Sequence, residues 1–176
     1  SDPLHYVCDC CFNGVLTNGT EAAIMQHLLA FGAELDGNED RESPLIGAAS
    51  LGVADCAELL IRAGANVHLT SVFGANALHW ASFMGMPTTV SLLLEQGAEL
   101  ETRCSEFDST PLFWAVQGFS RYGPKEKTDQ LGAAGVLLRA GADAGTRNLE
   151  GTAAVERAGE ADSMSMKNLI EAYLPV

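Results

Sequence analysis

The sequence has few basic residues, few aromatics and no long apolar run. Lysine and arginine number 10 against 23 aspartates and glutamates, a formal net charge of −13 over 176 residues. Such a field repels phosphate backbones and anionic headgroups, so nucleic acid and membrane surfaces are poor candidate partners. A basic or neutral protein fits better. No uninterrupted apolar stretch approaches the roughly 20 residues that span a bilayer as a helix, which predicts a soluble chain. G-x-S-x-G, H-E-x-x-H, P-loop and dinucleotide fingerprints are all missing, and His27 and His68 lie near no nucleophile or carboxylate at catalytic spacing. Neither enzymatic activity nor a cofactor is expected.

Cysteine pairing is missing too. Cys8, Cys10, Cys11, Cys56 and Cys104 are odd in number and lack paired spacing, which favours free thiols, a reducing compartment and hence a cytoplasmic location. The alternative is an exported or periplasmic protein whose signal peptide was removed before Ser1. A disulfide from the Cys8-Cys10-Cys11 cluster would then be open, and Asn18-Gly19-Thr20 would have the form of a glycosylation triplet. No metal is expected, because C-x-C-C lacks a second pair and helix neighbours two or three apart are expected to point in different directions.

What is present is a globular profile, 47% hydrophobic and 19% charged, in a chain long enough for a core without staples. Above all it repeats itself. "LLAFGAELD" (28–36), "LLIRAGANVH" (59–68), "LLLEQGAELE" (92–101) and "LLRAGADAG" (137–145) are copies of one phrase. In each, a glycine suited to the left-handed conformation ends a helix. Upstream lie "DPLHYVC" (2–8), "SPLIGAA" (43–49), "NALHWAS" (76–82) and "TPLFWAV" (110–116). Asp2, Ser43, Asn76 and Thr110 are N-cap residues, and proline follows three of them at the first helical position.

These phrases resemble the ankyrin repeat, with its T-P-L-H-x-A signature and period of about 33 residues. The Gly64–Gly97 interval equals that period, and Gly32–Gly64 is one residue shorter. A fifth unit (148–174) keeps the glycine but has Ala154 in place of proline and Val155-Glu156 in place of leucine-histidine, which predicts a degenerate C-terminal cap. The resemblance implies an all-α solenoid of helix pairs joined by β-hairpin-like fingers. The repeats fall at approximately 1–36, 37–68, 69–101, 102–144 and 145–176, forming a single domain expected to be monomeric. It also implies that His5 and His79 hydrogen-bond between adjacent fingers. Two insertions, at 12–20 and 119–130, separate the helices of the first and fourth units; the second carries Arg121, Tyr122, Lys125 and Lys127.

Leu78, Ala81 and Ser82 share one side of their helix with the small equivalents Ala48, Ala49, Ala115 and Cys8, which predicts close helix packing. Trp80, Phe83 and Met84, at i, i+3 and i+4, share the other stripe. By the resemblance, that stripe faces the concave, partner-binding side. Its equivalents are Tyr6, Asp9 and Cys10; Gly47, Ser50 and Leu51; Trp114, Gln117 and Gly118; and Arg157, Glu160 and Ala161. Trp80 and Trp114 therefore become neighbours, and a contiguous apolar patch with Phe83, Met84 and Leu51 is expected to bind a partner. The alternative is that the indoles pack on each other for stability alone. The fingers add Glu39 and Asp40, Val72 and Phe73, and Glu106, Phe107 and Asp108. Acids around apolar tips suggest a partner with a basic rim and a hydrophobic centre, unless the carboxylates serve only solubility. The expected function is non-catalytic recognition of another protein, with action as an inhibitor or regulator of a cognate enzyme as its specialised version. The rival is a scaffolding or targeting segment of a larger protein.

Overall fold

A computed structural model describes residues 3–13, 20–37, 42–122, 128–160 and 164–174. The helices among them form five antiparallel pairs. The inner helices are α1 (Pro3–Phe12), α3 (Pro44–Ser50), α5 (Ala77–Phe83), α7 (Pro111–Tyr122) and α9 (Ala154–Glu160). Their outer partners are α2 (Thr20–Ala30), α4 (Ala54–Arg62), α6 (Pro87–Glu95), α8 (Gln130–Arg139) and α10 (Met164–Glu171). Inner helices pack on inner helices and outer on outer, so the chain is a two-layered all-α solenoid. Two of the described fingers are held by single antiparallel bridges, at Thr70–Asn76 and Arg147–Ala153; in the one between them the Cys104 N–H donates to the Ser109 carbonyl at 3.2 Å.

The repeated phrases have a common physical basis. At the end of α4, Gly64 adopts φ +94°; its N–H donates to the Ile61 carbonyl and the Ala65 N–H to the Leu60 carbonyl, each at 3.0 Å. This Schellman arrangement satisfies carbonyls that a helix end leaves open. It recurs at Gly32, Gly97 and Gly141. At the inner-helix starts, Ser43 Oγ accepts from the Ile46 N–H at 3.3 Å and Thr110 Oγ1 from the Phe113 N–H at 3.4 Å. Asn76 forms a reciprocal capping box with His79. The fifth unit keeps such a cap by other chemistry, since Glu156 Oε2 accepts from the Ala153 N–H at 3.0 Å. Asp2 lies outside the described residues.

The inner helices differ in length for a reason visible at one position. Nine residues after the N-cap, α3 and α5 meet Gly52 and Gly85, both at positive φ, and stop. The equivalent residues are Cys11 and Phe119, which do not take that conformation cheaply, and α1 and α7 run on to Phe12 and Tyr122. The expected insertions are corrected accordingly. Residues 119–122 are the last turn of α7 and Gln130 opens α8, while Phe12 and Thr20 belong to α1 and α2.

The small residues lie in the core as expected, with Cys8, Ala48, Ala49, Ala81, Ser82 and Ala115 all fully buried. Closest approach is at Gly118, where a Cβ would lie 2.0 Å from the Phe83 carbonyl oxygen. A Cβ on Gly159, in α9, would meet nothing within 4 Å. Gly118→Ala is therefore expected to destabilise the fold by about 3 kcal/mol through overpacking, and Gly159→Ala to stabilise it by roughly 0.5–1 kcal/mol through the unfolded chain. Denaturant titration of the two variants, run side by side, checks the opposite signs.

Candidate functional site

The stacking of α5 on α7 sets the geometry of the concave face. Trp80 and Trp114 occupy the same slot in consecutive inner helices and meet edge to face, ring centroids 4.9 Å apart at 81°. Phe83 lies 6.2 Å from Trp80, 5.9 Å from Trp114 and 5.6 Å from Tyr122. Contacts of this kind contribute about 0.5–1.5 kcal/mol each beyond area burial. The four rings are neither sealed in nor fully exposed; each is partly accessible. Trp114 Nε1–H donates to Ser109 Oγ at 3.0 Å, whereas Trp80 Nε1 is buried with no hydrogen-bond partner.

Trp114 also covers the imidazole of His79, centroids 5.3 Å apart. His79 is fully buried. Its Nε2–H donates to the Ser109 carbonyl of the next repeat at 3.1 Å, and its Nδ1 accepts from the Asn76 N–H at 3.3 Å. This histidine ties two repeats together, as the resemblance implied. His5 differs, since its Nδ1 is buried without a hydrogen-bond partner, and the ring packs where a Cβ on Gly47 would lie, 2.8 Å from Cε1. At the site of an inner-helix indole, the second repeat has only a glycine.

Around the indoles opens a groove of about 400 Å³. Trp80 and Phe83 line it from α5, and Trp114, Gln117 and Arg121 from α7. Arg157 of α9 and Phe107 of the adjoining finger complete its sides. Gln117 Oε1 accepts from Arg157 Nε and Nη2 at 3.3 and 3.2 Å. The expected patch is divided, however. Leu51 and Met84 line a separate cavity of about 480 Å³ beside Gly52 and Gly85. A Cβ on Gly52 would lie 2.9 Å from Met84 Cε, so the thioether turns toward the second repeat and away from the indoles. Gly118 is buried against α5. Tyr6 and Phe73 are exposed and line neither space. Glu39, Asp40, Lys125, Lys127, Ala161, the side chains of Asp9 and Glu160, and the Asn18-Gly19 pair lie outside the described residues.

Several carboxylates that looked like solubilising charge are structural. Asp36 Oδ1 accepts from the Asn66 N–H at 2.7 Å, and Glu101 Oε1 from the Asp143 N–H at 2.9 Å. Each acid lies four residues after a helix-ending glycine and bonds to the residue two after the next such glycine, so it clips successive fingers. Arg103 holds Asp108 through two 2.6 Å bonds and also donates to the Arg147 carbonyl. Arg147 pairs in the same bidentate way with Glu156. The signal, an acid at a fixed offset in two fingers, was available in the sequence.

All five cysteines are free thiols, as expected, but the expectation that helix neighbours three apart point in different directions needs correction. Cys8 and Cys11 are one turn apart and therefore share a face, and α4 brings Cys56 to them, with Cys11 Sγ and Cys56 Sγ 3.9 Å apart. Burial pushes the Cys11 thiol up to about 12, which suppresses its thiolate. Among the described residues, no group of three His, Cys, Asp or Glu side chains is arranged to hold a metal ion. None of the helices among the described residues is long and apolar enough to cross a membrane.

A family model described as ankyrin repeats, in three copies, matches residues 4–104, more than half of the 176-residue chain. The chain belongs to the ankyrin-repeat family. Ankyrin repeats are generally protein–protein interaction modules and typically non-catalytic. The match ends in the fourth unit, yet ankyrin-like helix pairs continue to α10. This ankyrin-repeat chain is 38% identical over 76 residues to Neurogenic locus notch homolog protein 1 of Xenopus tropicalis, covering 43% of this chain and 3% of that one. It is 29% identical over 96 residues to Palmitoyltransferase Hip14 of Drosophila melanogaster, covering 54% and 14%. With Ankyrin repeat and SOCS box protein 16 of Homo sapiens it shares 32% over 91 residues, covering 52% and 20%. The chain thus spans a fifth or less of each of these relatives.

Burial lowers the His79 pKa from 6.5 to about 4. Between those values the unfolded chain binds a proton that the folded one refuses, so stability falls on acidification through that window. Asp108 and Glu156 are held below their ordinary values by Arg103 and Arg147, so their contribution is lost only at lower pH, as each titrates in the folded state. Exclusion of the proton from His79 is expected to cost roughly 2 kcal/mol of stability between pH 7 and 4.5. Denaturant unfolding at both pH values, for the wild type and His79→Gln, checks it: the variant should lose that part of the pH dependence.

Proposed function

We propose that the chain recognises another protein through the aromatic groove between its third, fourth and fifth repeats. Trp80, Phe83 and Trp114 act as anchors and Phe107 as a finger contact, with Tyr122 supporting Phe83 from 5.6 Å. The observation that carries this reading is the pair of partly exposed indoles packed edge to face on the inner curve and opening onto a groove. Tryptophan is among the residues most enriched at binding hot spots. Leu51 and Met84 are assigned a secondary contact, and Tyr6, Phe73, Glu39 and Asp40 peripheral ones. The partner has a basic rim and an apolar centre. A specialised form of the same act is inhibition or regulation, in which the monomeric array covers the working face of a cognate enzyme in the cytoplasm.

The small share of each relative that the chain spans supports a second reading, in which it is the scaffolding or targeting segment of a longer protein. The length of the open reading frame in the source organism separates the two. For the main reading, affinity capture with wild type and Trp80→Ala identifies a partner retained by wild type alone, and purified components then give affinities. Trp80→Ala and Phe107→Ala are each expected to weaken binding by about 2 kcal/mol, some thirtyfold. If binding is intact while Trp80→Ala lowers the melting temperature, the indoles serve stability alone.

Acidic surface meeting a basic rim also sets a salt dependence. Affinity is expected to fall as ionic strength rises from 0.05 to 0.5 M, because screening shortens the reach of exposed charges. Titration calorimetry across that range is the check, and a flat response removes the basic rim from the reading.

A further inference from the structure

We infer that the segment seated in the aromatic groove carries a side-chain carboxylate, from an aspartate or glutamate, a few residues from an apolar side chain. The inference rests on the groove being the partner-binding site. It comes from a local reversal of charge. The chain as a whole is at −13 with only 10 lysines and arginines, yet two of those ten, Arg121 and Arg157, line this groove, with Glu150 as the one acid among its described lining residues.

Placement makes the two guanidinium groups more than surface charge. Trp114, Gln117 and Arg121 are spaced i, i+3 and i+7 and so run along one face of α7; indole, amide and guanidinium follow one another down the groove. Gln117 holds the Arg157 guanidinium through two of its donors, which fixes it from the other side. No ion pair engages Arg121 among the described residues, and its guanidinium carbon is 5.9 Å from the Tyr122 ring centroid. A carboxylate is the acceptor that matches the guanidinium fork. The same geometry argues against a segment rich in acids. At longer range the chain's overall negative field repels them, so the groove selects a single carboxylate embedded in a neutral or basic stretch with an apolar residue for the indoles.

The experiment is selection of random twelve-residue peptides, displayed internally so that no free C-terminus is offered, against the wild-type chain. Enriched peptides are expected to share one aspartate or glutamate at fixed spacing from an aromatic or aliphatic residue. Synthetic copies with amidated C-termini should lose at least tenfold in affinity when the acid becomes its amide. The same loss is expected on Arg121→Glu, and a peptide with lysine in place of the acid should regain affinity for that variant. Peptides whose binding needs Trp80 and Trp114 but ignores Arg121 and the acid would overturn the carboxylate and leave the groove reading standing. Peptides indifferent to the tryptophans as well would overturn both. A basic consensus, or no enrichment at all, would overturn the inference, and the groove would then be judged by the Trp80→Ala and Phe107→Ala affinities.

Discussion

The concave face depends on how closely α7 lies against the end of α5. Gly118 presents its bare Cα to the Phe83 carbonyl, where a single added carbon would stand 2.0 Å from the oxygen. With the backbones that close, side chains four residues before the glycine and three before the carbonyl have nowhere to go but against each other. Those side chains are the two indoles. Their contact roofs His79, and the buried imidazole reaches the Ser109 carbonyl of the next repeat. Close packing, the inter-repeat bond and the aromatic groove are therefore one arrangement.

The same coupling means that the indoles of the proposed site also contribute to stability. Each is only partly accessible, so a share of every ring is spent on its neighbours. Burying the Trp80 N–H without an acceptor costs about 1–3 kcal/mol, which the aromatic contacts and the burial of apolar area must offset.

Most of the fold was legible in the sequence because its signals are local. A helix-ending glycine, an N-cap and a following proline act within a few residues, and repetition multiplied them. The adjacency of Trp80 and Trp114 was legible for a related reason, since equivalent positions in stacked repeats must be neighbours. What escaped depends on contacts between residues far apart. Met84 turns from the indoles because Gly52, 32 residues earlier, leaves it room. Cys56 joins Cys8 and Cys11 only through the packing of α1, α3 and α4. The finger clips of Asp36 and Glu101 cross 30 and 42 residues of chain; composition registers such acids as charge and not as hydrogen-bond acceptors.

One substitution within the repeat pattern accounts for the difference between this groove and the rest of the inner curve. Where Gly52 and Gly85 turn the chain out of α3 and α5, the fourth repeat has Phe119, and α7 continues for another turn. That turn carries Arg121 onto the face of Trp114 and Gln117 and brings Tyr122 to within 5.6 Å of Phe83. Had a glycine stood at position 119, the helix would end before both residues, and the indoles would open onto a surface without Arg121. The second repeat approximates that case: α3 stops at Ser50, and Gly47 stands where the third and fourth repeats place tryptophan. A regular array thus acquires a distinctive site by losing one terminator beside two large aromatics.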